Sequence, residues 1–432
     1  MKIRSIHFIV LLLALASLVA CVILYFSGNT SLTGPFLVAF FAGMAIAIRG
    51  SASYKGLSYT LWILAAVTIS MFYPTPFLKV GDFELKKLIV PLLQIIMFGM
   101  GSQMALSDLG NVIKMPKGVI IGIVCQYTIM PFLGITIATL FNFPPEIAAG
   151  VILIGSSPSG LASNVMSYIA RANLALSVTI TAITTLLSPL LTPLLMKFLG
   201  GQFVEVNFWK MMLDIFNMVI LPIVAGLTFN LFAYGKAERK KIFLQMLVYV
   251  LIIFLKNTIA WISGGIPALK ALQTTGSDLM IFLAAPVVLA WIFKMVAKGR
   301  RDILDKGLAF LSMLGIGIII TIITAAGRDS LLEVGLLLIL ACFIHNTFGY
   351  FLGYLISRYI FGMPEKDCRT VAFEVGMQNG GLASGLALQM GKVATVGLAP
   401  AVFGPLMNVT GSALANWWRN KVPAAKTKLP VK

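Results

Sequence analysis

The sequence predicts an all-α polytopic membrane protein, and three observations carry that prediction. Its 432 residues are 59% hydrophobic and 11% charged, with a mean hydropathy of +0.96, whereas soluble domains run nearer 25% charged. The apolar residues fall in runs long enough for transmembrane helices, not in the short alternating segments of barrel strands. Two of these runs, at 147–170 and 370–391, are interrupted by Gly, Ser, Asn or Pro, and each contains the tetrapeptide GLAS.

Runs bounded by charged or Gly/Pro/Asn loops give about fourteen spans. They are near 6–26, 33–48, 56–74, 88–107, 118–140, 147–170, 174–196 and 211–232, then 242–262, 279–297, 307–326, 334–357, 370–391 and 394–418. With the N-terminus in the cytoplasm, 23 Lys/Arg fall on the cytoplasmic side and eight outside, among them Lys79, Lys197, Arg328 and Lys392. That bias obeys the positive-inside rule and places both termini in the cytoplasm. The same distribution disposes of a nucleic-acid reading of the formal charge of +18, because the basic residues sit in short clusters between apolar runs. His7 and His345 are too far apart in sequence to suggest a zinc site. Cys21, Cys125, Cys342 and Cys368 imply no disulfide framework. "LVAC", ending at Cys21, has the form of a lipoprotein cleavage site, but the apolar "VILYF" that follows favours a retained span.

In this topology the two GLAS segments cross in opposite directions, and aligning them puts Arg171 opposite Lys392. This is the footprint of an inverted repeat, in which paired interrupted helices mark a transporter's central site. Unwound backbone is tolerated at membrane depth only where it lines a cavity or is buried in protein. Close helix packing would by itself explain the small residues. The polar neighbours argue for more: Ser163 and Asn164 in the first segment, Glu374, Gln378 and Asn379 in the second. A carboxylate inside a span marks a functional site by default; the competing reading puts Glu374 at a shallow, solvated depth, five residues beyond Arg369. Ser177 and Thr181, spaced i, i+4, share a helix face that can look across the short turn at 171–173 toward Ser163 and Asn164. Alternatively those two hydroxyls bond only their own helix carbonyls. Carboxylate, amide and hydroxyl oxygens together suit a hard cation such as sodium.

"ASNVMSYIARANLALSVTITAITTLLSPLLTPLL" (162–195), "FEVGMQNGGLASGLA" (373–387) and "VFGPLMNVTGSALANWWR" (402–419) resemble the bile acid:sodium symporter family, as do "IMFGMG" (96–101), "CQYTIMPFLG" (125–134) and "HNTFGYFLGY" (345–354). The resemblance implies a ten-helix core of two inverted five-helix repeats with two broken, crossing helices. About four extra helices are then left over: two in 1–50 and an inserted pair in 240–300. The core would occupy 56–232 and 303–420, followed by a cytoplasmic tail at 421–432. The family pattern implies about two sodium sites. One would use Ser163, Asn164, Ser177, Thr181 and Glu374; the other Gln126, Glu374, Gln378 and the backbone carbonyls of Val375 and Met377. Leu161, Asn379, Met407 and Asn408 would face the substrate. Leu161 and Met407 depart from the family's bile-acid binders, which often carry Thr and His there, so the pocket is more apolar.

The expected function is sodium-coupled symport of a small organic anion (bile-acid-like, keto acid or pantothenate-like) into the cell. The expected setting is membrane lipid, in a bacterial inner membrane, with no nucleic-acid partner; a homodimer is compatible with the sequence. The alternatives are a sodium-binding membrane sensor or receptor, or an organic-anion transporter of the same fold without sodium coupling. A membrane-embedded enzyme using Glu374 as acid/base is disfavoured, because no metal triad, Ser–His pair or second carboxylate accompanies it.

Overall fold

The computed structural model describes residues 5–28, 32–51, 57–104, 113–234, 239–297 and 300–421. Lys2, Arg4, Lys55, Lys236, Lys298 and the tail beyond Lys421, all counted in the charge bias, lie outside them. Every one of the fourteen apolar runs corresponds to helix. α1 (Ser5–Phe26), α2 (Thr33–Ala47) and α3 (Ser58–Phe72) open the chain. A one-turn helix and a two-residue hairpin, β1 (Lys79–Val80) with β2 (Phe83–Glu84), lead into α4 (Ile89–Gln103) and α5 (Pro116–Leu140). The run at 147–170 is two helices, α6 (Pro145–Gly155) and α7 (Ala162–Ile169). Next come α8 (Leu174–Leu195), α9 (Phe208–Tyr234), α10 (Arg239–Ile262), α11 (Ala268–Val296), α12 (Arg301–Ala326) and α13 (Arg328–Ile360). The run at 370–391 also splits, into α14 (Glu365–Gly376) and α15 (Gly380–Gln389), before α16 (Leu398–Arg419). Among the described residues ten helices are long and apolar enough to cross a membrane; the chain is a multi-pass integral membrane protein.

The divided helices sit at the centre. Every residue of Ile147–Gly155 in α6 and of Cys368–Gly376 in α14 is buried. A helix buried all round belongs inside a bundle. Around this centre pack α5, α8, α13 and α16. The additional helices are peripheral. α1 packs on α2 and α2 on α3, and the best membrane window of α1 is only 6% buried within the protein. α11 lies against α9 and is likewise 11% buried. The insertion carries one buried charge pair, Lys256 with Asp278, and Lys256 also donates to Asn217 Oδ1 of α9 at 3.4 Å. From sequence, Lys256 reads as a lysine reaching for the membrane surface; its partner lies 22 residues away on the next helix and retains it in the interior.

α4 and α9 approach closely where "IMFGMG" ends. A Cβ on Gly101 would stand 2.1 Å from the carbonyl oxygen of Ile223, so the motif records a backbone contact. Gly101→Ala forces the two helices apart and is expected to cost about 1–3 kcal/mol. Thermal unfolding of the detergent-solubilised protein should show a lowered midpoint; an unchanged midpoint would contradict the contact.

Candidate functional site: the crossing of the two divided helices

The first helix unwinds over Ser156–Leu161, where Pro158 cannot donate a backbone hydrogen bond. The second unwinds over Met377–Asn379. The unwound segments lie against each other as an isolated antiparallel bridge between Ser159 and Gln378. Gly160 N–H donates to Met377 O at 2.8 Å, and Asn379 N–H donates to Pro158 O at 2.8 Å. Each break thereby satisfies backbone groups that the other has released. Side chains complete the accounting. Ser159 Oγ donates to Glu374 O at 2.9 Å, Gln126 Nε2 to Ser157 O at 2.8 Å, and Asn346 Nδ2 to Gly376 O at 2.7 Å.

GLAS is therefore not the unwound segment itself. The second copy lies wholly within α15, and the first straddles the end of the break and the start of α7. Gly160 is required by approach: a Cβ there would lie 2.6 Å from Gln378 O. The Asn379 side chain accepts from Leu382 N–H at 3.0 Å and so caps α15.

Glu374 lies in the last turn of α14 with no exposed surface. The shallow reading fails because α14 begins at Glu365, nine residues earlier, or about 13 Å of helix. Arg369 is itself buried, paired with Glu365 at 2.9 Å and donating to the carbonyls of Ala170 and Trp418 at 3.3 and 3.1 Å. Glu374 Oε1 accepts from Ser163 Oγ at 2.6 Å and Ser177 Oγ at 2.5 Å; Oε2 accepts from Thr181 Oγ1 at 2.8 Å. Asn164 Oδ1 stands 2.8 Å from Ser177 Oγ and 3.3 Å from Thr181 Oγ1. The five residues from α7, α8 and α14 form one closed cluster.

That cluster has more oxygen than proton. Each hydroxyl has one hydrogen to donate, yet Ser177 and Thr181 each face both Asn164 Oδ1 and the carboxylate, and Ser163 faces Gly160 O at 2.8 Å besides Glu374. Among the described residues no basic side chain lies within ion-pair distance of Glu374. An ionised carboxylate buried without a countercharge is costly, and the oxygens gathered here are of the kind that could surround a hard cation.

The residues expected to form a second site also meet. Gln126 Nε2 donates to Gln378 Oε1 at 2.7 Å, and Gln378 Nε2 donates to Val375 O at 2.5 Å. The Met377 carbonyl already accepts from Gly160. These groups are bonded to one another and converge less on a shared point than the Glu374 cluster does.

Beside the crossing is a cavity of about 110 Å³, and Leu161, Asn379, Met407 and Asn408 all line it. Its opposite wall is aliphatic, with Ile63 of α3, Ile96 of α4 and Ile316 and Ile319 of α12. His345 is buried with its Nε2 2.9 Å from Met130 O. Among the described residues no group of three or more His, Cys, Asp or Glu gathers to hold a metal. Asn346, Ser159 and Thr410, which donates to Asn346 Oδ1 at 2.5 Å, were not singled out from sequence.

A multi-pass helical bundle whose two broken helices cross over a buried oxygen cluster is a membrane transporter, not an enzyme. A family model described as the sodium bile acid symporter family matches residues 90–268. An uncharacterized sodium-dependent transporter of Bacillus subtilis, YocS, is 31% identical over 376 residues, covering 87% of this chain and 95% of its own length. A probable chloroplastic sodium/metabolite cotransporter of Oryza sativa, BASS1, is 30% identical over 375 residues, covering 86% and 74%. The chain belongs to the sodium bile acid symporter family.

Gly160→Ala should damage the crossing, because its Cβ meets backbone. Gly404→Ala, in the same cavity wall, should be tolerated, because the nearest atom to its Cβ is 3.9 Å away. Folded yield and melting temperature of the two variants compare them directly; equal behaviour would sink the role assigned to Gly160.

Proposed function

We propose that the chain imports a small organic anion by moving sodium down its gradient, with both sodium ions and anion held at the crossing. The observation that carries this reading is the buried carboxylate of Glu374, which has no basic partner among the described residues and is ringed by hydroxyl and amide oxygens short of protons. Sodium is a hard ion that takes several oxygens at close range. Ser163, Asn164, Ser177, Thr181 and Glu374 would hold the first ion. Gln126, Gln378 and the carbonyls of Val375 and Met377, with Glu374, would hold the second after the Gln378 amide turns its oxygen inward. Carbonyls keep a second lone pair for such a bond.

Coupling follows from where the ligands sit. The first ion would join α7, α8 and α14, and so order the crossing whose breaks form one wall of the substrate cavity. A substrate that binds well only to the ordered wall cannot move without sodium. Each sodium entering brings about 2.3 kcal/mol per 100 mV of membrane potential, so transport of two with one monoanion is electrogenic. The relatives' printed names, sodium-dependent transporter and sodium/metabolite cotransporter, support the ion rather than the substrate. Typical ligand pockets measure about 300–1,000 Å³, so the present cavity takes a larger anion only when its aliphatic wall separates from the crossing. Leu161 and Met407 stand where the family's bile-acid binders often carry Thr and His, which counts against a bile acid and leaves a short keto acid or a pantothenate-like acid. The orientation proposed is both termini in the cytoplasm of a bacterial cell membrane.

Uptake into proteoliposomes tests the ion. Replacing sodium by potassium, or Glu374 by Gln, should lower uptake by about 100-fold, roughly the loss of a charge-assisted site; sodium-indifferent uptake would refute the coupling. Leu161→Thr together with Met407→His should shift preference among a panel of anions toward bulkier, more polar ones at unchanged sodium dependence. An unaltered preference would remove these two side chains from the substrate site.

A further inference from the structure

The five residues of the Glu374 cluster come from α7, α8 and α14, and one further side chain, in the turn between α7 and α8, bonds the first turns of both α8 and α14. Asn173 follows α7 and immediately precedes α8, after a turn in which Arg171 has φ of +55°. Its Oδ1 accepts from Leu176 N–H at 3.2 Å and caps α8. Its Nδ2 donates to Asp367 Oδ1 in the first turn of α14 at 2.8 Å, with Met115 Sδ at 3.8 Å. Its backbone N–H faces Thr370 Oγ1 at 3.0 Å and Lys366 O at 3.3 Å, and Thr370 Oγ1 donates to its carbonyl at 3.1 Å.

The spacing turns these contacts into a seam. Asn173, Ser177 and Thr181 follow i, i+4, i+8 on one face of α8. Asp367, Thr370 and Glu374 follow i, i+3, i+7 on one face of α14. The near end of the seam is Asn173 with Asp367 and Thr370; the far end is Ser177 and Thr181 with Glu374. Ser177 is one helical turn from the anchor and Glu374 two, so displacement at the anchor is carried into the ligand cluster by rigid helix.

We propose that Asn173 and Asp367 are positioning residues that set the sodium affinity of the Glu374 cluster, by fixing the register of α8 against α14. The inference rests on the sodium-coupled reading above. Neither side chain touches the ion; the pair holds the hydroxyl face and the carboxylate face at bonding distance before sodium arrives, and without it the ion must organise them.

Asp caps a helix as well as Asn does, so Asn173→Asp keeps the cap while setting a carboxylate against Asp367. N173D/D367N restores an amide–carboxylate pair with the roles exchanged. The full-length chain is titrated with sodium chloride alone, at constant ionic strength with potassium chloride, and its melting temperature is followed. Asn173→Asp should raise the half-saturating sodium concentration about tenfold, as loss of a hydrogen bond to a charged group implies; N173D/D367N should return to within about threefold of wild type. Unchanged half-saturation in Asn173→Asp, or a double variant as impaired as the single, overturns the proposal. Should Asn173→Asp not fold, Asp367→Asn alone replaces it, with an expected rise of about threefold; a wild-type value there overturns the proposal as well. A wild-type protein that sodium fails to stabilise would instead refute the sodium reading itself.

Discussion

A carboxylate closed off from solvent, with no basic side chain beside it among the described residues, is the condition around which the centre of this molecule is organised. Glu374 is held by three hydroxyls from two other helices. Left ionised and unaccompanied it would destabilise the bundle. The surrounding oxygens do not neutralise it; they share its demand for a positive charge. On the proposed sodium reading, ion binding and folding of the crossing are linked events.

The backbone obeys the same logic on a larger scale. Breaking a helix at membrane depth frees amides and carbonyls that lipid cannot satisfy. Here two breaks answer one another through Gly160 with Met377 and Asn379 with Pro158. Buried amide side chains of α5 and α13, Gln126 and Asn346, accommodate carbonyls on either side. A single interruption would have needed water or a ligand; two, placed face to face, need neither. This is the physical reason for the interruption to occur twice in the chain.

Much of this was legible in the residues. The fourteen apolar runs all correspond to helix, two of them divided, and among the described residues ten helices are long and apolar enough to cross a membrane, because hydropathy reports directly what lipid tolerates. Glu374, Ser163, Asn164, Ser177 and Thr181 could be gathered from polarity and spacing alone, and the structure brings them together. The start of α14 could not be read. Lys366, Asp367 and Arg369 look like a loop, and they are helical because Arg369 finds partners at Ala170 and Trp418, 199 and 49 residues away. Gln126 came through resemblance only, and Asn346 was missed, since one amide in an apolar run has no period to betray it. Asn173 entered only as the end of the short turn at 171–173, because its importance depends on an acid 194 residues further on. The extra helices were placed by length, while their peripheral packing required coordinates.

The bridge between the breaks has a mechanical meaning. Two segments sewn together by main-chain bonds running both ways cannot creep past each other without losing both stitches. The pair of unwound segments is accordingly fixed as one unit, and what the proposed ion would order is the packing of α7, α8 and α14 around it. On its cavity side it meets a wall of isoleucines from α3, α4 and α12. Such a face offers dispersion contacts of nearly equal strength at many offsets and no directional bonds to break. On the proposed reading, the polar half of the cavity would select the anion and the aliphatic half would let its two sides slide.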